Sequence, residues 1–417
     1  MKENQSLEFK ERITNTFLKT VSAYANFGDG IIQFGITDDG KVLGVEDAES
    51  TCLDIENRIN DSISPIPDYE LSVDSETNVI TLTVKEGSFK PYYYKAKAYK
   101  RNDTATIEVD RIELNHLILE GENRSYDELT AKGNEFHFSI LEQKLKEQLG
   151  VSAINSDILR TLGLLGVDGK YKNAGALLAD ENSFYGIDCA RFGDSIDIIL
   201  DREIFEHKSI LKQYDEAVAL YRKYYQYDEI EGALRKTVEL IPEKAFREAI
   251  ANALVHRTWD VNSHIRIAMF KDRLEVFSPG GLPKGITQEE YLNGQVSVLR
   301  NPIVASVFFR LNIIESFGTG VQRMNMAYAE SRAKPRHEFS THAIKVVLPV
   351  VSGGEELSED EAMIYNSMNR LGKSSSQIAK TVGFGKNKTL KLLVALEEKG
   401  YVTKLGNGRG IKYLIKS

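Results

Sequence analysis

The stretch Arg247–Asp260, REAIANALVHRTWD, decides how the rest of the chain is read. Glu248, Asn252 and His256 stand four residues apart, so on a helix they share one face. A core-facing stripe should be apolar, and this one is polar. Ala245, Ile250, Ala253 and Leu254 form an apolar stripe elsewhere on the same helix. The segment predicts a helix with two tasks, packing on one side and holding something polar on the other.

Around that helix lie 417 residues, more than one core accommodates, so roughly two to four modules are expected. The chain is 42% apolar and 27% charged, the balance of an ordinary globular protein. Cys52 and Cys189 are its only cysteines and lack metal-ligand spacing, which speaks for a reducing compartment and against a disulfide framework or zinc ribbon. No apolar leader precedes MKENQSLEFKERI, and no run reaches the roughly 18 apolar residues of a membrane span. A cytoplasmic protein without membrane contact is expected. The net charge of −8 is unevenly spread. Residues 371–417 carry ten Lys/Arg against Glu397 and Glu398, so a basic tail follows an acidic body. Such a tail suggests a local polyanion site.

Four stretches follow from the pattern: residues 1–125, a connector over 126–240, a middle module over 241–351, and a tail module over 352–417. In the first, TFLKTVSAYANF reads as a helix with Phe17, Val21 and Tyr24 along its apolar edge. IIQFGITDDGKVLGV reads as strand, turn and strand, VITLTVKEG as a strand, and KPYYYKAKAYKRNDT as an edge hairpin. The connector holds EGENRSYDELTAKGNE, a polar hinge, then helical and strand-like runs. The middle module follows its opening helix with the strands HIRIAMF and RLEVFSPGGLP, a Gly-bearing loop, ESFGTGVQRM and a last strand AIKVVLPV. VVSGGEELSEDEA is a Gly- and acid-rich linker.

The tail predicts two helices, Ser376 capping the first and Lys388–Lys399 forming the second, then two strands around an Asn-Gly turn. It resembles the winged-helix family, in which the second helix enters the major groove. On that resemblance Lys386, Lys388 and Lys391, with Asn387 and Thr389, would meet DNA, and Arg409 and Lys412 on the wing would touch phosphate. The plainer alternative is a docking or dimerising domain with solvated lysines; clustered cations favour nucleic acid.

The middle module resembles the GHKL (histidine-kinase and gyrase type) ATP-binding fold, in its divergent RecG-like form found in bacterial transcriptional regulators. NALVHR, SPGGLP, RNP and FGTG carry the likeness, in that order. It implies that Glu248 orients or deprotonates water, that Asn252 helps hold Mg²⁺, and that Gly280, Gly281, Gly318, Thr319 and Gly320 let backbone approach ATP. The family's first Gly box carries an Asp that reads adenine. SPGGLP has none, and Asp272 lies on the wrong side of a strand. Without nucleotide, Glu248, Asn252, His256 and Arg257 would form a buried polar network in a retired fold. No P-loop is present, which excludes a helicase motor of that type.

ENQSLEFK, SAYANFGDGIIQFGITDDGKVLGV, KPYYY and YKRNDT, spanning about residues 3–110, resemble the Schlafen-type AlbA-like domain. Some relatives are metal-dependent endoribonucleases. The likeness implies Glu3, Glu8 and Asp38 as ligands of Mg²⁺ or Mn²⁺, with Asp39 a substitute for Asp38 and Lys10 beside them. Lys90, Lys95, Lys97, Lys100 and Arg101 would make a cationic rail, with Tyr92–Tyr94 for stacking. The alternative is a structural Glu8–Lys10 ion pair and a tight turn at Asp38–Asp39.

The expected architecture is an α+β multidomain chain: an AlbA-like α/β domain, a GHKL-like α/β sandwich and a C-terminal winged helix-turn-helix. The expected function is an ATP-responsive, nucleic-acid-binding transcriptional regulator, DNA before RNA as partner, acting as a homo-oligomer. A Schlafen-like nuclease of phage defence is the rival.

Overall fold

The first strand, Leu7–Lys10, and the second, Gly30–Phe34, run parallel, so the chain between them must cross over. Helix Phe17–Phe27 makes that crossing. Its edge of Phe17, Val21 and Tyr24 is buried against Ile32, Phe34, Ile55, Ile59 and Leu82. Strands Ile80–Val84 and Tyr69–Val73 complete a four-stranded sheet. These elements belong to a computed structural model that describes residues 2–231, 234–283, 285–294, 298–315, 318–351, 358–368, 372–399, 401–406 and 411–415.

Two local expectations change here. After Phe34 no second strand forms; a single bridge joins Ile36 to Val42, and Thr37 ties the turn through Asp39 and the Lys41 carbonyl. The tyrosine-rich stretch is not one hairpin. Tyr93–Tyr94 pairs with Ile63–Ser64, and Tyr99–Asn102 pairs with Ala105–Glu108. Tyr92 and Tyr94 are buried, so they fill the core instead of offering stacking faces. The register at Tyr92 is pinned by Asn26, which takes its N–H at 2.8 Å and donates to its carbonyl at 2.9 Å.

Residues 126–240, read from sequence as a connector, share one core with the middle module. Strands Ile199–Phe205 and Ile187–Phe192 lie beside Ile265–Met269, Arg273–Pro279, Ala343–Pro349 and Arg336–Phe339 in a six-stranded sheet, in that order. Leu141, Leu177, Tyr221, Phe246, Phe308 and Leu348 meet in one cluster. Composition suggested a hinge because loops at either end are polar, whereas pairing between distant strands is invisible locally.

One buried carboxylate shows how tight this union is. Asp127 accepts from the backbone N–H groups of Ile303 at 2.8 Å and Val304 at 3.0 Å. Those are orphan donors at the start of helix Pro302–Arg310, so the former connector caps a helix of the middle module. Burial pushes the Asp127 carboxyl above its ordinary range, against the hydrogen bonds that favour the anion.

The tail holds helices Glu359–Asn366, Ser375–Val382 and Lys386–Glu398, then strands Val402–Leu405 and Lys412–Ile415 paired antiparallel. Ser374 and Gln377 form a capping box on the second helix, where Ser376 was the expected cap. Ile364, Ile378, Leu393, Leu396 and Tyr413 give this module its own core. Arg409 and the expected Asn-Gly turn lie outside the described residues. No helix among the described residues is long and apolar enough to cross a membrane.

Two outcomes test this packing. Asp127→Ala should lower the unfolding free energy by about 2 kcal/mol, since two capped donors are orphaned. Asp127→Asn, which keeps an acceptor oxygen, should lose less; urea titration reads both. The N-terminal module touches the middle one where His116 meets Asp260 Oδ2 at 2.8 Å. That bond raises the imidazole above its ordinary value; burial and Arg300 oppose the shift, and Asp110 assists it. A histidine raised on folding stabilises fully below its unfolded value, about 6.5, and ceases to as pH climbs through the folded one. The stability gap between wild type and His116→Ala should therefore be widest near about pH 6 and shrink by about pH 9. A gap that stays constant over that range would disprove an ionic contact.

Candidate functional site

Helix Glu243–His256 divides as its sequence required. Ala245, Phe246, Ile250, Ala253 and Leu254 are buried in the core. Glu248, Asn252 and His256 line a cleft walled by Gly281, Tyr291, Arg300, Phe309, Gly318 and Gly320. Asn252 Nδ2 donates to Glu248 Oε1 at 3.3 Å. That choice leaves the Asn252 carbonyl oxygen for a ligand.

The second Gly box sits directly on this pair. Helix Gly320–Ala327 begins at the cleft, with Thr319 as its N-cap and Gly318 in a left-handed conformation. A Cβ on Gly320 would lie 2.3 Å from Glu248 Oε1 and 2.8 Å from Asn252 Nδ2. A side chain at this position would have to push the ends of Glu248 and Asn252 aside, whereas glycine leaves their pairing undisturbed. The cradle therefore combines a carboxylate, an amide oxygen and exposed helix N–H groups, a donor set that suits Mg²⁺ with phosphate. Burial raises the Glu248 carboxyl above the usual range; Arg323 and Asn252 pull it back, and Glu315 adds to the rise. Arg323 and Glu315 pair at 2.8 Å.

The first Gly box closes the opposite end. Gly281 lines the cleft, while Gly280 turns away, its absent Cβ facing Thr258 and Arg300. Asp272 occupies the turn between strands Ile265–Met269 and Arg273–Pro279 and is absent from the cleft wall. Arg300 opens the RNP stretch, whose local sequence does not say which groups it binds. Its guanidinium donates to the His256 carbonyl at 2.7 Å and the Gly281 carbonyl at 3.0 Å. Asn301 donates to the Val255 and Arg257 carbonyls at 2.7 and 2.9 Å. RNP thus fastens the helix end to the Gly box. A pair of donors just ahead of a helix-starting proline was the available signal.

His256 and Arg257 serve differently. Burial, helped by Arg300, brings the His256 imidazole down to about 4, so it is neutral at ordinary pH. Arg257 faces away from the cleft and donates to the carbonyls of Tyr185, Gly186, Val261 and Ser263. It does not join a network with Glu248.

The N-terminal carboxylates are arranged otherwise than a metal centre requires. Glu8, 5% exposed, holds Arg101 at 2.5 Å and the Thr20 hydroxyl at 2.8 Å on one oxygen, and Lys10 at 2.5 Å on the other. Glu3 accepts from the Phe9 N–H at 2.8 Å. Asp38 is exposed in the turn. Among the described residues no three His, Cys, Asp or Glu side chains gather closely enough to hold a metal ion. The site as built does not fit Mg²⁺ or Mn²⁺, because cations already fill the carboxylate's coordination sphere.

Four of the five rail cations are likewise neutralised, while Lys95 is exposed over the Tyr94 ring. Lys97 pairs with Glu108 at 2.7 Å, Lys100 with Glu113, and Arg101 is buried on Glu8. Lys90 is buried between Glu86 and Glu120. In the tail, Lys388 pairs with Asp360 at 2.6 Å and stacks on Phe384, and Thr389 is buried with its hydroxyl on the Gly385 carbonyl. Lys386, Lys391 and Lys412 are exposed.

Residues 3–110 match the family model "Schlafen, AlbA_2", and residues 262–348 match the one described as "Putative ATP-dependent DNA helicase recG C-terminal". The chain therefore carries a Schlafen-type AlbA domain at its N-terminal end and a RecG-like, GHKL-type module in its second half. Glu248 and Asn252 lie just upstream of the second matched span. Among solved structures, the crystal structure of the DIP2311 protein from Corynebacterium diphtheriae is similar, with 22% identity over 99% of this chain and 92% of that one and a TM-score of 0.49. No curated protein matches.

Replacing Glu8 by Ala leaves Arg101 as an uncompensated buried charge. Glu8→Ala should cost roughly 3 kcal/mol in stability, read by denaturant titration. A neutral effect would show that the Glu8–Arg101 pair is not formed in solution.

Proposed function

We propose that this chain, a Schlafen-type AlbA domain joined to a RecG-like GHKL-type module, is a nucleotide-binding regulator that engages nucleic acid, DNA first, through its tail. The two family matches support a nucleic-acid-binding, ATP-using protein at the coarse level. The observation that carries the finer reading is the cradle of Glu248, Asn252 and Gly320 at the mouth of one cleft. The N–H groups at the start of helix Gly320–Ala327 would hold phosphate, and the Asn252 oxygen would help hold Mg²⁺, whose charge would offset that of the phosphates. Glu248, held by Asn252 and raised by burial, is the group that would orient or accept a proton from water. His256 and Arg300 line the same cleft and would bound the remainder of the nucleotide.

The tail supports winged-helix binding by its order of helix, helix, helix and antiparallel pair. Lys386 and Lys391, exposed on the third of these helices, and Lys412 on the last strand are the phosphate contacts. Lys388 takes a smaller part, because Asp360 already neutralises it. The AlbA-type module acts as a partner surface and not as a nuclease, a view supported by the cations that occupy Glu8. Gene control as a homo-oligomer on paired DNA sites is the biological role that suits this assembly.

Calorimetric titration with Mg²⁺–ATP tests the cleft. Gly320→Ala and Asn252→Ala should each weaken binding at least about tenfold, the equivalent of 1.4 kcal/mol. Wild-type protein that takes up no nucleotide would sink the reading. For the tail, Lys386→Glu with Lys391→Glu should weaken duplex binding and flatten the log–log salt dependence by about two. An unchanged salt slope would move the DNA contact elsewhere. Cleavage of RNA with Mn²⁺ that Glu8→Ala abolishes would favour the nuclease instead.

A further inference from the structure

The helix that starts at the cleft ends beside the tail module. From Gly320 at the Glu248–Asn252 pair it runs to Ala327. The chain beyond it is firmly held. The Tyr328 hydroxyl donates to the Pro349 carbonyl at 2.8 Å, and Lys334 Nζ donates to the Tyr328 and Ala329 carbonyls at 2.6 and 3.1 Å. Ser331 N–H donates to the Tyr328 carbonyl at 3.0 Å. Arg332 follows directly and crosses to the tail. Its guanidinium carbon lies 3.9 Å from the ring centre of Tyr365 and 4.9 Å from that of Tyr401. Those two rings, 5.9 Å apart and nearly perpendicular, come from opposite ends of the tail module's helical part. A groove between the modules, lined by Met326, Ala329, Ala362 and Tyr401, flanks the contact.

We infer that Arg332 is a releasable latch: gripped by Tyr365 and Tyr401, it sets the pose of the tail module, and the helix Gly320–Ala327 couples it to the cleft. The inference rests on the nucleotide reading of that cleft. An exposed cation–π contact is weak enough to open, its loss changing the docked population roughly 2- to 30-fold. The path from Gly320 to Arg332 is a helix and a hydrogen-bonded turn, so a shift of the helix start is carried to its end. Tyr328 also holds Pro349, the end of the last strand before the tail, so the helix end that carries Arg332 is tied to that strand as well. A ligand shifts such an equilibrium only through unequal affinity for the two poses, and the effect is reciprocal. Arg332, remote from the nucleotide, should therefore influence how tightly nucleotide binds.

The test uses the full chain, as wild type, Arg332→Ala and Arg332→Lys. X-ray scattering in solution, with and without Mg²⁺–ATP, reads the tail's pose; calorimetry reads ATP affinity. Arg332→Ala should enlarge the radius of gyration, and Arg332→Lys should lie between. ATP should change the wild-type scattering and leave Arg332→Ala unchanged, and ATP affinity should differ between those two proteins by about threefold or more. Identical scattering of Arg332→Ala and wild type overturns the latch. An expanded Arg332→Ala whose ATP affinity equals that of wild type, with wild-type scattering indifferent to ATP, overturns the coupling while the nucleotide reading stands. Absence of ATP binding in wild type defeats the nucleotide reading and the coupling with it, and the scattering pair still decides the latch.

Discussion

Among the described residues, Arg257 is a cation buried against backbone carbonyls and not against a carboxylate. It is 1% exposed, and its charge is solvated by four backbone carbonyls and the face of Trp259, 4.1 Å away. Burial lowers its pKa to about 10, so it stays charged at neutral pH. Two of those carbonyls, from Tyr185 and Gly186, immediately precede strand Ile187–Phe192; the others follow helix Glu243–His256. The guanidinium therefore fastens the end of the cleft helix to the start of a strand some seventy residues earlier. With Asn301 closing the same helix end and Asp127 capping the next helix, polar side chains from three distant stretches meet at one corner. Each satisfies backbone groups that burial would otherwise leave unpaired.

That corner makes the cleft a rigid one. The helix bearing Glu248 and Asn252 is fixed at its far end by Arg257, Arg300 and Asn301, and packed along its inner face by Phe246 and Leu254. The mobile choices are left to elements joined by weaker contacts. His116–Asp260 is a titratable pair between the N-terminal and middle modules, and Arg332 meets the tail through aromatic faces. Strong buried bonding thus lies within the middle module, and weaker, more exposed contacts lie at its borders.

Charge needs the same distinction between sequence and space. The tail's cluster of lysines was plain in composition, yet Lys388, Lys399 and Lys404 face Asp360, Glu361 and Glu397. The N-terminal rail was plain too, yet Lys90, Lys97, Lys100 and Arg101 are paired with carboxylates, and Lys95 is exposed with the Tyr94 ring beside it. A run of cations in sequence says how many positive charges exist. Which of them remain for a phosphate depends on carboxylates that arrive from other elements.

The sequence by itself determined what periodicity and local chemistry can encode. The two faces of Arg247–Asp260 and the tail's helices and hairpin strands were legible because each depends on neighbours a few residues apart. Tertiary structure decided what long separations control. It merged residues 126–240 with the middle module through strand pairing, gave Arg300 and Asn301 their carbonyls, and spent Glu8 on Arg101, ninety-three positions away. The reason is physical: a carboxylate's ligand role depends on which cation reaches it first, and only the fold brings Arg101 to Glu8.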